Sequence, residues 1–203
     1  MPELPDVEVY RKTIDKKVVH HIIEDFIVDV KEIFKSSEKQ LDGFRGHRAG
    51  STLRTGKYCF LGSDKTGWLV FHFGMTGYVE YYEKEEEKPE YAAFTILLRG
   101  KGRLSILSKR KLGEIEICES PATFARDNKL GTDALEYSKK EFLQLPGRKK
   151  GAVKAALMDQ SVISGIGNIY SDEILFHAGI HAKTPTGDIT EKKWEELYNR
   201  MNE

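Results

Sequence analysis

Residues 67–83 read GWLVFHFGMTGYVEYYE. Two runs within it, 67–74 and 77–83, are dense in Trp, Val, Phe and Tyr and bounded by glycine, so each reads as a short β-strand. The pattern repeats outward in both directions. HIIEDFIVDV (21–30) and STLRTGKYCFLG (51–62) precede it, and AAFTILL (92–98), RLSILS (103–108) and EIEIC (114–118) follow. The connections SDKTG (63–67) and RGKGR (99–103) have the composition of hairpin turns. Short strands at this spacing leave no room for crossover helices, which favours a β-sandwich or barrel over alternating βα units.

The flanks are helical. ELPDVEVYRKTI (3–14) places Leu4, Val7 and Ile14 at helical spacing, with Asp6 near the positive end. Beyond Gly131 the spacing predicts helices over 139–145 and 152–158, separated by the Pro146-Gly147 break. A third is predicted over 169–178, with Asn168 as N-cap and Gly179 as its stop. A fourth begins near Thr190 and carries Trp194, Leu197 and Met201 on one face; it runs to the last residues without a capping signal and reads as cut short. The expectation is an α+β chain, with a β-sandwich domain opened by a helix over 1–130 and an all-helical domain, incomplete as given, over 131–203.

The 203 residues are 39% hydrophobic and 32% charged, a globular profile without a disorder signature. No apolar run approaches the ~18 residues that span a membrane, and no signal segment opens the chain, so a cytoplasmic location is expected. Cys59 and Cys118 sit in strand-like runs and read as small buried hydrophobes; two cysteines cannot build a four-thiolate zinc site. Lys plus Arg and Asp plus Glu both number 32, so net charge names no partner, but the distribution is uneven. Residues 99–113, RGKGRLSILSKRKLG, hold six basic side chains and no acid, and Arg148, Lys149, Lys150 and Lys154 form a second acid-free stretch. Either these face a polyanion or they are ordinary solvated surface. The acidic run 80–90, EYYEKEEEKPE, has little to bury and reads as a mobile solvated loop.

Three features carry chemistry. Trimming Met1 would leave Pro2 with a free secondary amine, and an α-amino group with a pKa of about 7.7–8.0 is partly uncharged and nucleophilic near neutrality. Added to a sugar anomeric carbon, that amine gives an iminium, an electron sink that permits elimination at neighbouring phosphates. Glu3 beside it is suited to proton transfer. Taken alone, Met-Pro-Glu is a weak signal. The second feature is Gly165-Ile166-Gly167-Asn168 at a helix start, which suits either close approach to phosphate or a tight turn between packed helices. The third, His177 and His181, has the i, i+4 spacing of a metal pair, but Gly179 lies between them and no third ligand is evident, so the non-metal reading stands.

Four segments in order, PELPDVE (2–8), GKYCF (56–60), FHFGMTG (71–77) and LMDQSVISGIGNIYSDEILFHAGIH (157–181), resemble the formamidopyrimidine-DNA glycosylase/endonuclease VIII family. The resemblance implies a β-sandwich followed by a helix–two-turn–helix domain, both contacting double-stranded DNA that carries damaged bases or abasic sites. It implies Pro2 as nucleophile, Glu3 as acid/base group and Lys57 as a phosphate-binding lysine that assists catalysis. His72, Gly167 and Asn168 match positions at the DNA backbone. Met75, Arg110 and Leu112 match side chains that fill the gap left by an extruded nucleotide, and Lys111 matches a basic neighbour. The family's usual Arg-Arg-Phe-Gly stands here as Arg110-Lys111-Leu112-Gly113, and Asp6 stands where glutamate is commoner. Relatives usually continue into a zinc finger or a zincless equivalent. No cofactor or metal is therefore expected in this chain, zinc entering only with a finger outside it. The implied protein is a monomeric, nucleoid-associated base-excision glycosylase and AP lyase; a non-catalytic binder of damaged DNA and an AP lyase alone are the alternatives.

Overall fold

The computed structural model describes residues 1–145 and 150–203. They form two compact units, Met1–Arg126 and Asp127–Glu203. The predicted Pro146-Gly147 break and the basic pair Arg148-Lys149 lie outside the described residues.

The first unit opens with α1 (Leu4–Val18), whose Leu4, Val7, Ile14 and Val18 are buried as the 3.6-residue spacing requires. Its strands are β1 (Ile23–Val28), β2 (Ala49–Thr55), β3 (Tyr58–Ser63), β4 (Trp68–His72), β5 (Tyr78–Tyr82), β6 (Ala92–Leu98), β7 (Arg103–Leu107) and β8 (Glu114–Cys118). They form two antiparallel four-stranded sheets, ordered β1-β6-β7-β5 and β2-β3-β4-β8. Phe26, Phe94, Ile96, Leu104 and Ile106 from one sheet share a single core with Leu61, Leu69, Phe71 and Ile115 from the other, and Phe71 meets Phe94 edge-on at 6.4 Å. This is the expected β-sandwich. Helix α1 lies against the outer strands β2 and β5, covering one edge of each sheet.

Two details depart from the sequence reading. Residues 51–62 form a hairpin, not one strand: Gly56 adopts φ +56°, and Thr55 pairs with Tyr58. A glycine in the left-handed region turns the chain at a position where an L residue is strained. Lys57 is thereby placed at a turn. The acidic run is also tied down, through ion pairs of Glu85 with Arg103 (2.8 Å) and of Lys88 with Asp29 (3.0 Å). A further helix, α2 (Pro121–Asp127), packs Phe124 against Tyr58 and Phe60 at 5.0 and 5.5 Å. That contact explains why β3 is buried on both faces and reads as a continuous apolar run.

The second unit holds α3 (Lys139–Phe142), α4 (Val153–Met158), α5 (Asn168–Ala178) and α6 (Glu191–Met201). It is helical apart from the two-residue parallel pair of β9 (Thr132–Asp133) with β10 (Ile163–Ser164). Trp194, Leu197 and Met201 are buried, as their spacing predicts. Helix α6 closes at Met201, where Asn202 Nδ2 donates to the Tyr198 carbonyl, a cap that the sequence pattern did not signal. Gly179 ends α5 in the left-handed conformation at φ +63°. His177 faces Glu173 at 3.7 Å, whereas His181, beyond the helix end, accepts from the Lys183 amide through Nδ1. Among the described residues no group of three His, Cys, Asp or Glu side chains is arranged to hold a metal. Both cysteines are free thiols of the first unit. No described helix is long and apolar enough to cross a membrane.

Candidate active site and nucleic-acid contacts

The start of the chain is held rigidly. Glu3 is the N-cap of α1, and its amide donates to Asp6 Oδ2 at 2.9 Å while its carbonyl accepts from Val7 at 3.0 Å. These bonds fix the residue that follows Pro2 by tying it to the first helical turn. Glu3 is 2% exposed, unusual for a carboxylate, and Pro2 is half-buried. On α1, Glu8 bonds Arg11 at 2.7 Å and meets Arg54 of β2 at 3.3 Å, and Arg11 donates to Thr52, which donates to Asp15. This network anchors the helix to β2. The Arg11 hydrogen bond is the main reason that Glu8 titrates below the ordinary carboxylate value.

Lys57 is 6% exposed at the β2–β3 turn. Burial pulls its pKa down, and the negative charge of Glu3 partly opposes that shift. An acid and a lysine, both buried, thus share one electrostatic neighbourhood at the start of the chain. His72, at the end of β4, pairs in register with Tyr58, and the two rings lie 5.0 Å apart. Its pKa is lowered by burial foremost, with Glu114 raising it and Lys57 lowering it. The imidazole is consequently neutral near pH 7 and retains one N–H donor.

For Lys57, desolvation outweighs attraction to Glu3, so its charge is a net cost to the fold. Between the folded and unfolded pKa values the unfolded chain holds the proton, and stability rises with pH. Lys57→Met is accordingly expected to melt at or above the parent temperature near neutrality, by up to about 2–4 °C for ~1 kcal/mol. The advantage should fade as the pH nears the ordinary lysine value. A lower melting point at pH 7 would show that this lysine stabilises the fold.

A second cluster forms where two loops meet. Gly74, at φ +60°, lies so close to the β7–β8 loop that an added Cβ would fall 2.3 Å from the Leu112 carbonyl oxygen. Within that loop Ser108 accepts twice, from the Lys111 amide through its carbonyl (3.0 Å) and from the Gly113 amide through Oγ (3.3 Å). This backbone packing brings Met75, 46% exposed, and Leu112, 48% exposed, to neighbouring loop tips, and Arg110 donates to the Met75 sulfur at 3.3 Å. Lys111 also points outward, with φ +52°. Apolar side chains left in water on braced loops suit insertion into a nucleic-acid gap.

In the second unit, Gly165 takes φ +112°, Gly167 caps α5 and exposed Asn168 is its first residue rather than its cap. The loop is braced by Gln160, whose Nε2 donates to the Met158 and Ile166 carbonyls at 2.8 Å each and whose Oε1 accepts from Gly165 at 3.0 Å. Gly131 explains itself likewise, since a Cβ there would lie 2.1 Å from the Val162 carbonyl oxygen. Sequence reasoning missed both Gln160 and Ser108. A single polar residue without periodic or motif context gives no sign that its side chain stitches a loop together.

Known proteins resemble both units of the chain. Residues 1–115 match the family described as Formamidopyrimidine-DNA glycosylase N-terminal domain, and residues 130–203 match Formamidopyrimidine-DNA glycosylase H2TH domain. The formamidopyrimidine-DNA glycosylase of Desulfitobacterium hafniense is 32% identical over 205 residues, covering 98% of this chain and 74% of the relative. That of Streptomyces coelicolor is 30% identical, covering 100% of this chain and 75% of the relative. Among solved structures, wild-type Lactococcus lactis Fpg (MutM) in complex with DNA containing N7-benzyl-Fapy-dG superposes with a TM-score of 0.91 at 25% identity. That match covers 99% of this chain and 76% of the other. The same Lactococcus protein bound to DNA containing an oxidised pyrimidine gives a TM-score of 0.91 at 25% identity, over 99% and 77%.

Proposed function

Because the chain belongs to the formamidopyrimidine-DNA glycosylase family, we propose that it removes oxidised bases from double-stranded DNA and then cleaves the abasic strand. The amine of Pro2, freed by loss of Met1, is the nucleophile. It attacks the anomeric carbon of an extruded nucleotide, the bond to the damaged base breaks and the base leaves with a proton. The sugar ring then opens at the C1′–O4′ bond, with O4′ taking a proton. The resulting iminium carries a fixed positive charge that draws electrons from the neighbouring carbon, so a proton is lost there and the 3′ phosphate is expelled. Elimination of the 5′ phosphate follows in the same sense, and water then hydrolyses the iminium to regenerate the amine. Glu3 moves the protons. A carboxyl group at 2% exposure beside a lysine, directly after the nucleophile, is the single observation on which this reading rests.

The other assigned residues bind and distort DNA. Lys57 and His72 hold phosphates beside the lesion; Gly167 and Asn168, at the positive end of α5, bind backbone phosphate. Extruding a nucleotide costs a few kcal/mol, and Met75, Arg110 and Leu112 offset part of that cost by filling the void. Lys111 adds charge against the backbone. No step draws on a metal or organic cofactor, and the protein works as a monomer in the cytoplasm, on the nucleoid.

Borohydride reduction of the iminium tests this directly. Incubation with duplexes bearing an oxidised purine, an oxidised pyrimidine or a pre-formed abasic site is expected to give a trapped covalent complex. Trapping on the abasic duplex alone would reduce the activity to that of a lyase. A protein shown by mass spectrometry to begin at Pro2 that traps no duplex would sink the enzymatic reading and leave a binder of damaged DNA.

A further inference from the structure

Met75 carries a chemistry that gap filling does not use. Its side chain is 46% exposed in the turn between β4 and β5. A thioether sulfur is polarisable and has two lone pairs, of which one accepts here from Arg110 Nη1 at 3.3 Å. The other is left for a small oxidant arriving from solvent.

The remaining sulfur atoms are better shielded. Met1 goes with the trimming that frees Pro2, Met201 is 9% exposed, and Met158 is half-buried at the end of α4. Cys59 is fully buried, and burial pushes its thiol far above the ordinary range. The half-buried Cys118 is pushed up to about 11, by burial first and by Glu116 second. A thiol that keeps its proton at neutral pH reacts slowly with peroxide. Met75 therefore holds the most accessible sulfur of the trimmed protein.

We propose that Met75 is a site of reversible sulfoxidation by a peroxide, and that the sulfoxide form binds damaged DNA weakly. The sulfur lone pair attacks one peroxide oxygen, the O–O bond breaks and an S–O bond forms. The hydroxyl left on sulfur gives its proton to the departing hydroxide, which leaves as water. The thioether is oxidised and the peroxide reduced, with no further reactant. The product is polar where the thioether was apolar, so inserting it where a nucleotide was stacked buries a strong dipole without a partner. Its oxygen is also a far better acceptor than sulfur, and Arg110 already lies within reach of it. The weak N–H···S contact thus becomes a firm N–H···O bond that ties two gap-filling side chains to each other. This control rests on the function proposed above for Met75 and Arg110.

The test treats the trimmed protein with hydrogen peroxide, maps the added oxygen by peptide mass spectrometry and measures binding to an abasic-site duplex. Met75 is expected to be oxidised ahead of Met158 and Met201. Full oxidation there should weaken binding about tenfold, as burial of an unpartnered polar group does. The two methionine sulfoxide reductases, one for each epimer, should restore binding, whereas dithiothreitol should not, which separates the methionine from the thiols. Met75→Leu, compared only with its own untreated sample, should lose no affinity. Three results would each overturn the proposal and leave DNA binding standing: Met75 unmodified while Met158 or Met201 reacts, binding unchanged after full oxidation of Met75, or an equal loss in Met75→Leu. A parent protein that fails to bind the duplex before any peroxide is added would instead overturn both.

Discussion

A form of the protein with one extra residue ahead of Pro2 is expected to bind damaged duplex but to give no borohydride-trapped complex. The reason lies at a single nitrogen. In a free N-terminus Pro2 is a secondary amine with a lone pair; joined to a preceding residue it becomes a tertiary amide, whose lone pair is delocalised into the carbonyl and cannot attack a sugar carbon. The loss should be complete within detection, because an amide nitrogen has no free lone pair with which to form the covalent bond. Lys57 shares the neighbourhood of Glu3, yet its side chain is buried and interacts with the Glu3 charge. Glu3→Gln, with the N-terminus correctly trimmed, should slow base release by about 10²–10⁴-fold, the usual contribution of a positioned acid/base group. It should leave affinity nearly unchanged, since Glu3 is placed at the reacting sugar and not on a phosphate. If the extended protein still forms the covalent adduct, the nucleophile is another side chain and the role of Pro2 falls.

These outcomes depend on how the first unit holds its N-terminus. Asp6 returns a hydrogen bond to the Glu3 amide, so the residue beside the nucleophile is part of the helix cap. Tyr10 on the same helix meets Phe73 edge-on at 4.8 Å, which links α1 to the turn bearing Met75. The nucleophile and one gap-filling side chain are therefore referenced to the same rigid helix. Positioning of that kind lowers the entropy lost on reaching a reactive geometry.

The strands and the amphipathic helices were legible because their patterns are local. The period of two in 77–83 and the Trp194, Leu197, Met201 spacing follow directly from which faces are buried. The 51–62 hairpin was not, since Thr-Gly-Lys-Tyr carries one turn signal inside a run that is otherwise strand-like, and the burial of β3 on both faces hides the alternation that would have marked the break. Helix α2 was missed for a related reason: at seven residues it is too short to display a period. Asn168 reads as an N-cap by residue type, yet Gly167 takes the extended backbone that a cap requires and Asn168 starts the helix. As for the site, Pro2, Glu3 and Lys57 became candidates through motif order, while the burial of Glu3 and Lys57 came only from the structure. The same holds for Ser108 and Gln160, whose roles arise from contacts within and across loops.

Gly74→Ala should produce the largest loss of stability at any single methyl addition near the site. Two penalties combine there. The backbone sits at φ +60°, which strains any residue with a Cβ, and the new methyl would lie 2.3 Å from the Leu112 oxygen and 2.4 Å from its carbonyl carbon. Backbone atoms cannot rotate aside as a side chain would, so the two loops must separate. Together the terms amount to roughly 2–5 kcal/mol, which corresponds to a fall of about 5–20 °C in melting midpoint for a chain of this size. Gly100→Ala provides the control: it shares the positive φ, at +65°, but nothing lies within 4 Å of its Cβ, so it should show the backbone penalty alone. The excess of Gly74→Ala over Gly100→Ala then measures the contact between the loops. Because that contact is what brings Met75 and Leu112 together, the folded fraction of Gly74→Ala should also bind abasic duplex more weakly, while Gly100→Ala binds normally. Equal melting points for the two variants would mean that the loops are not braced against each other, and the gap-filling role of Met75 and Leu112 would lose its structural basis.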